Sequence, residues 1–147
     1  MKELSVSDGV IQYIVIKLGD EQYGIDIKYI DNIVRMQHIT RVPKVQHYFK
    51  GVINLRGEVI PVMSLRLKMN LPEDEITNTS RIIIIKLDVA AIGLIVDEVR
   101  EVVTLGDMDI EKVSYEVKDE RSGYITGIGK SNGGLISILD LNAVITE

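Results

Sequence analysis

Short apolar runs separated by polar turns dominate the hydrophobic pattern of this 147-residue chain. Residues 13–18 and 22–26 form two such runs on either side of a short polar turn, and this pattern predicts a β-hairpin. Residues 51–55 and 59–62, with a turn at Arg56-Gly57 between them, predict a second hairpin. Isoleucine and valine together occupy 40 positions, and β-branched side chains suit a pleated sheet. The pattern therefore predicts a mainly β fold.

A different spacing follows the first hairpin. Ile27, Ile30, Ile33 and Val34 recur at intervals of three and four residues, with polar residues between them. This spacing predicts a short helix with one apolar face.

Two further short helices and one extended segment complete the predicted elements. Residues 64–71 and 140–145 are predicted to be helical, with Ser64 and Asp140 at the N-cap positions. Residues 39–42 are expected to be extended, because they are rich in β-branched residues and are followed directly by a proline.

The chain also repeats itself. Residues 13–18 match residues 82–87 at an offset of 69, and residues 50–65 match residues 126–141 at an offset of 76. Two long matches in the same order, with several glycines in register, predict two structurally related halves.

The repeat suggests how the chain is organised. It predicts one domain over residues 1–147, with repeat halves at approximately residues 12–71 and 81–145. The polar stretch at residues 71–80 is the expected joint between the halves, and strands are free to be exchanged between them. A half of about 70 residues buries little core alone, so two small β-barrels packed together are expected.

Charge and composition exclude several classes of protein. The net charge is −5 and no run of Lys or Arg occurs, so nucleic-acid binding is not expected. Cysteine is absent, which excludes disulfides and thiolate metal sites. The polar N-terminus lacks the apolar stretch of a signal peptide, and no apolar run reaches the length of a membrane helix. We therefore expect a soluble, intracellular protein without direct membrane insertion.

The motifs of catalysis are also missing. No Gly-x-Ser-x-Gly elbow is present, and His38 and His47 lie in a stretch without carboxylates. The glycine-rich residues 123–131 resemble a phosphate loop only superficially, because Tyr124 stands where that motif needs glycine. We expect no enzymatic activity, no cofactor and no metal site.

Three features remain as candidates for binding surfaces. The stripe of Ile27, Ile30 and Ile33 has the repeat partners Val96, Val99 and Val102, and such stripes either pack on their own domain or line a groove that accepts an amphipathic helix. Arg56, at the predicted turn, is either a solvated surface residue or an interface anchor. Residues 39–42 are a possible exposed strand edge.

At these positions the sequence resembles a known family. Residues 18–27, residues 39–43 and above all the Gly-Val-Ile-Asn-Leu-Arg-Gly run at residues 51–57 are similar to the CheW-like family of chemotaxis coupling proteins. The resemblance extends from about Gln12 to Ile145. It implies two SH3-like five-stranded β-barrel subdomains with a few short helices, related by the internal repeat.

The resemblance also implies a function and its partners. It implies a non-catalytic adaptor that couples the cytoplasmic tips of methyl-accepting chemoreceptors to the regulatory CheW-like domain of the histidine kinase CheA. It implies a cytoplasmic monomer that is recruited to membrane-bound receptor arrays. No cofactor is implied.

Carried over position by position, the resemblance assigns two sets of residues. The receptor-binding set is Ile14, Ile27, Ile30, Asn32, Ile33, Arg56, Val99 and Val102. The kinase-binding set is Ile39, Thr40, Val42 and Gly51. Many relatives carry an acidic residue at the position of Asn32, so this residue is expected only as a neighbour of the contact.

Other functions are possible for the same fold. The chain could be the excised CheW-like domain of a CheA or CheV protein, although the absence of kinase or receiver sequence favours a standalone coupler. A small-molecule-binding or hydrolytic β-barrel would need a polar cluster in a pocket, which the sequence does not indicate. A self-assembling structural protein is the third alternative.

Overall fold

The structure is a computed structural model that describes residues 10–88, 90–112, 122–131 and 133–146. The N-terminal residues 1–9, for which the absence of a signal peptide is predicted, lie outside the described residues. Strands predominate over helices, which confirms the prediction of a mainly β fold. The described elements are β1 (Val10–Leu18), β2 (Glu21–Asp26), β3 (Ile30–Arg35), β4 (Phe49–Leu55), β5 (Glu58–Ser64), α1 (Leu65–Lys68), β6 (Arg81–Lys86), β7 (Ala91–Val96), β8 (Glu98–Gly106), β9 (Ile110–Lys112), β10 (Ile125–Ser131), β11 (Gly134–Leu139) and α2 (Leu141–Ile145).

The chain divides into two compact units. Unit 1 comprises Met1–Ile27 and Arg100–Glu147, and unit 2 comprises Lys28–Val99. These units differ from the predicted repeat halves, because each unit contains strands from both halves. Residues 71–80, expected to be the joint between the halves, lie within unit 2.

The sheet of unit 2 is closed by the chain that follows its edge strand. The strand order is β3-β6-β7-β5-β4, so β3 and β4 are the two edges. Downstream of β3, Thr40 pairs with Val52 of β4: the Thr40 amide donates to the Val52 carbonyl at 2.8 Å, and the Val52 amide donates back at 2.9 Å. One continuous segment thus contacts both edges of the sheet, as barrel closure requires.

The sheet of unit 1 is closed in the same way but contains one more strand. Its sheet has the order β8-β1-β2-β11-β10-β9, which makes six strands where five were expected. The extra strand arises because a 3-10 turn at Asp107–Asp109 interrupts the segment after β8, which resumes as the three-residue β9 on β10. In unit 2 the corresponding contact is reduced to the single Thr40–Val52 bridge.

Strand register follows the sequence offsets. In unit 2, β5 runs parallel to β7 with Val62 opposite Gly93. In unit 1, β11 runs parallel to β2 with Ile138 opposite Gly24. In the repeat, Val62 corresponds to Ile138 at the offset of 76, and Gly24 corresponds to Gly93 at the offset of 69. The two parallel strand pairs therefore have the same register.

The predicted helix over residues 27–34 is wrong. Only Ile27–Tyr29 forms a 3-10 turn, and Ile30–Arg35 is strand β3, which pairs with β6. A bulge at Asp31 explains the helix-like spacing. Ile30 and Ile33 lie opposite Ile85 and Ile83, two residues apart on β6, so the extra residue places them on one face.

Both predicted helix caps are confirmed, although the first helix is shorter than expected. Ser64 Oγ accepts a hydrogen bond from the Leu67 amide at 3.1 Å, and Asp140 Oδ1 accepts one from the Ala143 amide at 3.3 Å. These side chains satisfy amides that a first helical turn leaves without a partner.

A polar cluster holds residues 71–80 against α1. The fully buried Ser64 hydroxyl donates to Asp74 Oδ1, while the other carboxylate oxygen of Asp74 is buried and has no hydrogen-bond partner among the described residues. Arg66 binds Asp97 in a bidentate pair, with N–O distances of 2.8 and 2.6 Å. The hydrogen bond from Arg66 to Asp97 raises the pKa of the guanidinium.

The Asp74 carboxyl should make stability depend on pH. Burial raises its pKa in the folded chain, so ionisation is harder in the folded than in the unfolded state. This group therefore lowers the free energy of unfolding as the pH rises from about 4, the ordinary pKa of aspartate, through its folded pKa. We expect the stability of Asp74→Asn relative to wild type to increase between pH 4 and pH 7 in urea titrations.

Glu73 provides a control, because its effect on the pH dependence of stability has the opposite sign to that of Asp74. The hydrogen bond from Lys50 Nζ, at 2.7 Å, lowers the pKa of the Glu73 carboxyl. Its ionisation therefore favours the folded state above its unfolded pKa, and this contribution is lost as the pH falls. Glu73→Gln should lose stability relative to wild type as the pH rises, by a small amount because the pair is solvent-exposed. A pH-independent difference for Asp74→Asn would contradict the account of Asp74.

Candidate functional site

The apolar stripe on β3 lies on the face of the sheet opposite the hydrophobic cluster of Ile82 and Ile84. Val34 packs against that cluster. Directly opposed residues of an antiparallel pair share a face, so Ile30 and Ile33 lie with Ile85 and Ile83 on the other side of the sheet. Both are only partly buried. Ile83 and Ile85 themselves are fully buried, so this second face of the sheet is also packed. The stripe therefore combines packing on its own domain with partly exposed aliphatic surface.

The part of β8 that the repeat aligns with β3 shows a similar arrangement in unit 1. Val103 packs against the core of unit 1, which includes the buried Leu105 of β8. Val102 is adjacent to Val103 on the strand and is half exposed, consistent with the opposite face. The offset of 69 pairs Ile33 with Val102 and Val34 with Val103, so the residue that packs on the cluster of each unit occupies the same repeat position.

The receptor-binding set is distributed over both units. Ile14, Ile27 and Val102 belong to unit 1, and the other members belong to unit 2. Ile27 and Val102 are exposed, and Val99 is partly exposed. Ile14 is buried, so its side chain is not part of the accessible surface of the described chain.

Asn32 has a local structural role. Its side-chain oxygen accepts a hydrogen bond from the Ile33 amide at 2.9 Å, immediately after the bulge at Asp31. Asn32 thus helps to hold the irregular backbone that places Ile30 and Ile33 on one face. This role needs no charge at position 32.

Arg56 occupies a strained turn. The two-residue loop between β4 and β5 has positive φ at both residues, 55° at Arg56 and 84° at Gly57, as a type I′ hairpin requires. Asn54 Oδ1 accepts a hydrogen bond from the Gly57 amide at 3.1 Å. The Arg56 side chain is exposed and makes no hydrogen bond or ion pair within the described residues.

The kinase-binding set forms a local group in unit 2. Thr40 is paired with β4, Ile39 packs against the core, and the Val42 side chain is exposed. Gly51 is buried at φ +137°, and a Cβ there would overlap the Thr40 carbonyl oxygen. Gly51 therefore positions residues 39–42 and has no side chain to offer a partner.

A pocket beside this group was not predicted from the sequence. It has a volume of about 650 Å³, opens to solvent, and is lined mainly by residues 39–50. Arg41, Lys44 and Lys50 line it together with a single acid, Glu73. In the sequence, only the basic residues spaced through residues 41–50 could have indicated this pocket. Leu67 and Glu73 join its lining only through the tertiary structure.

The described ranges contain neither a metal-binding cluster nor a membrane-spanning helix. No cluster of three or more His, Cys, Asp or Glu side chains could hold a metal ion there. No helix in the described part of the chain is long and apolar enough to cross a membrane.

Comparisons with known proteins agree with these features. The sequence pattern of the family described as CheW-like domain matches residues 12–147. The chemotaxis protein CheW of Bacillus subtilis is 42% identical over 134 residues, which cover 91% of this chain and 86% of that protein. CheW of Helicobacter pylori is 34% identical over 141 residues, covering 96% of this chain and 85% of that protein.

A solved structure supports the same assignment. The crystal structure of the scaffolding protein TtCheW from Thermoanaerobacter tengcongensis superimposes with a TM-score of 0.85 at 31% identity, covering 93% of each chain. This match supports the SH3-like barrel description of the two sheets. The chain therefore belongs to the CheW-like domain family and is a non-catalytic adaptor of chemotaxis signalling.

Proposed function

We propose that this adaptor couples the cytoplasmic tips of methyl-accepting chemoreceptors to the histidine kinase CheA, so that the state of the receptor controls the kinase. The receptor surface would consist of the exposed and partly exposed members of the receptor-binding set, and the kinase surface would lie around residues 39–42. In this proposal the protein is a cytoplasmic monomer that joins membrane-bound receptor arrays.

Arg56 is the observation that carries the proposal. A non-glycine residue at positive φ costs about 1 kcal/mol, and Asn or Gly would suit the first position of a type I′ turn better. The exposed guanidinium forms no hydrogen bond or ion pair within the described residues, so neither kind of interaction offsets this cost there. A strained residue without a structural role supports a role in binding. Its planar fork suits the carboxylates and carbonyls of a receptor helix.

The apolar part of the receptor surface supports the same partner. Chemoreceptor tips are helical, and an amphipathic helix binds through apolar residues at regular intervals. Ile30 and Ile33 are partly exposed and Val102 is half exposed, so each offers aliphatic side-chain surface to a partner. To transmit a signal, the adaptor must bind differently in the kinase-on and kinase-off arrangements, because equal affinity for both states shifts nothing.

Substitution of Arg56 tests the proposal. We expect Arg56→Asn to weaken binding to a receptor cytoplasmic fragment by about tenfold or more, the effect of losing an interface anchor. Binding to the CheA regulatory domain should not change. The free energy of unfolding should stay the same or rise by about 0.5–1 kcal/mol, since asparagine tolerates positive φ. Isothermal titration calorimetry and urea denaturation measure these quantities.

Two further variants serve as controls. Arg56→Lys keeps the charge and the strain but loses the planar fork, so it should bind the receptor fragment with intermediate affinity. Glu58→Gln changes a charge at the other end of the same turn and should leave binding within about twofold, as expected for a residue outside an anchor position. Failure of the wild-type protein to bind both partners would contradict the proposed function. Unchanged receptor binding in Arg56→Asn would contradict the assigned surface.

A further inference from the structure

The segment at residues 39–42 has an unpaired outer edge. Thr40 exchanges both of its backbone hydrogen bonds with Val52, and in an extended chain the amide and carbonyl groups of the flanking residues point the other way. Within the described residues, no hydrogen bond involves the backbone of Ile39 or Arg41. The segment is therefore a short strand edge able to pair with another chain.

The charge beside this edge is positive, in contrast to the chain as a whole. Arg41, Lys44 and Lys50 line the adjoining pocket with Glu73 as the only acid, whereas the whole chain has a net charge of −5. Lys50 is paired with Glu73 at 2.7 Å. Arg41 and Lys44 make no hydrogen bond or ion pair in the described part of the chain. Two cations are thus available for an acidic partner.

The remainder of the pocket is open and combines apolar residues with the polar Gln46 and His47. Val42 and Val45 are 41% and 43% exposed, and the pocket of about 650 Å³ lies next to the strand edge. Lys44 itself has a φ of +60°, a conformation that is uncommon for lysine. The pocket therefore combines aliphatic side chains, two cations and a backbone edge along one short segment.

We propose that residues 39–42 bind an extended acidic segment of a partner chain by strand addition, with its carboxylates on Arg41 and Lys44 and its apolar side chains on Val42 and Val45, of which Lys44 and Val45 follow the extended edge. In strand addition the backbone supplies affinity, and alternate side chains supply specificity. A single small anion would use the two cations but neither the edge nor the valines. The inference rests on the proposed function in one respect: the partner expected here is the regulatory domain of the kinase.

Arg41→Pro tests the strand edge directly. Proline removes the outward amide and leaves both Thr40–Val52 hydrogen bonds in place, because Thr40 is already extended before it. Arg41→Ala removes the same side chain but keeps the amide. We expect Arg41→Pro to weaken binding of the CheA regulatory domain at least about tenfold, and clearly more than Arg41→Ala does. Thr40 and Val52 amide protection in hydrogen exchange checks that the fold is retained.

The charge requirement is tested separately with Lys44→Glu. This variant should weaken binding and reduce its dependence on salt, because a favourable charge contact has been reversed. Lys130→Glu makes the same change on an exposed strand residue of unit 1 and should leave the affinity within about twofold.

A synthetic peptide separates this inference from the proposed function. An eight-residue peptide of alternating valine and glutamate should shift the amide resonances of residues 39–45 in wild type but not in Arg41→Pro, while a valine–lysine peptide should not. If the kinase domain fails to bind but the acidic peptide shows this behaviour, the proposed function falls and the inference stands. If the kinase domain binds wild type and Arg41→Pro equally, the inference falls. Equal shifts with free glutamate would also overturn it, because they would indicate a site for small anions.

Discussion

Replacing Gly51 by alanine is expected to lower the free energy of unfolding by about 3 kcal/mol. The positive φ of 137° disfavours any side chain by about 1–2 kcal/mol. In addition, a Cβ would overlap the Thr40 carbonyl oxygen and would lie 2.9 Å from Ile39 Cγ2. To relieve this overlap, the segment must move off β4 and lose two backbone hydrogen bonds, each worth about 1 kcal/mol.

Gly57 offers a matched control for this prediction. It also has positive φ, at 84°, but no atom lies within 4 Å of a Cβ built on it. Gly57→Ala should therefore show only the backbone penalty of about 1–2 kcal/mol. Urea denaturation with an unchanged m-value measures both variants. Equal losses at the two positions would show that the contact with Thr40 does not decide the effect.

The same substitution bears on the kinase-binding set. Gly51→Ala should weaken binding of the CheA regulatory domain by displacing residues 39–42, although Gly51 itself has no side chain to contribute. Gly57→Ala leaves that segment in place and should bind the kinase domain normally. Normal binding by a folded Gly51→Ala variant would contradict the assignment of residues 39–42 to this surface.

Replacing Ser64 by alanine is expected to destabilise the protein by about 2–4 kcal/mol. The variant loses the N-cap of α1, worth about 1 kcal/mol. It also removes the hydroxyl that donates to Asp74, leaving a second oxygen of a partly buried carboxylate without this donor. An unsatisfied buried polar group costs about 1–3 kcal/mol.

A double-mutant cycle with Asp74→Asn isolates the second effect. If the Ser64 hydroxyl stabilises the ionised Asp74 carboxylate, the cost of Ser64→Ala at pH 7 should fall when position 74 is uncharged. The capping contribution should remain in both backgrounds. Strict additivity of the two substitutions would show that Ser64 acts only as a cap.

Local interactions explain the features that could be predicted correctly. The hairpin around Arg56 and Gly57 depends on two adjacent residues and their flanking strands. The caps at Ser64 and Asp140 depend on amides three residues away. Each of these features depends on residues close together in the chain, so it can be predicted from the sequence.

The β3 region shows where such patterns mislead. Spacing by three and four residues is typical of a helix, but one bulge at Asp31 gives a strand the same spacing. The decisive interaction is pairing with β6, some 50 residues further along the chain, which no local pattern contains. The pocket residue Glu73 was missed for the same reason, because its neighbour Lys50 lies 23 residues away.

The sequence by itself therefore determined the hairpins at residues 13–26 and 51–62, the helix caps, the repeat, and the family through the motif at residues 51–57. Only the tertiary structure decided that β3 pairs with β6 rather than remaining in the unit of β2, the strand directly before it. It also decided that Gly51 supports the segment at Thr40. The physical reason is that short-range backbone preferences select the elements, whereas burial and hydrogen bonding between distant strands select which elements pair.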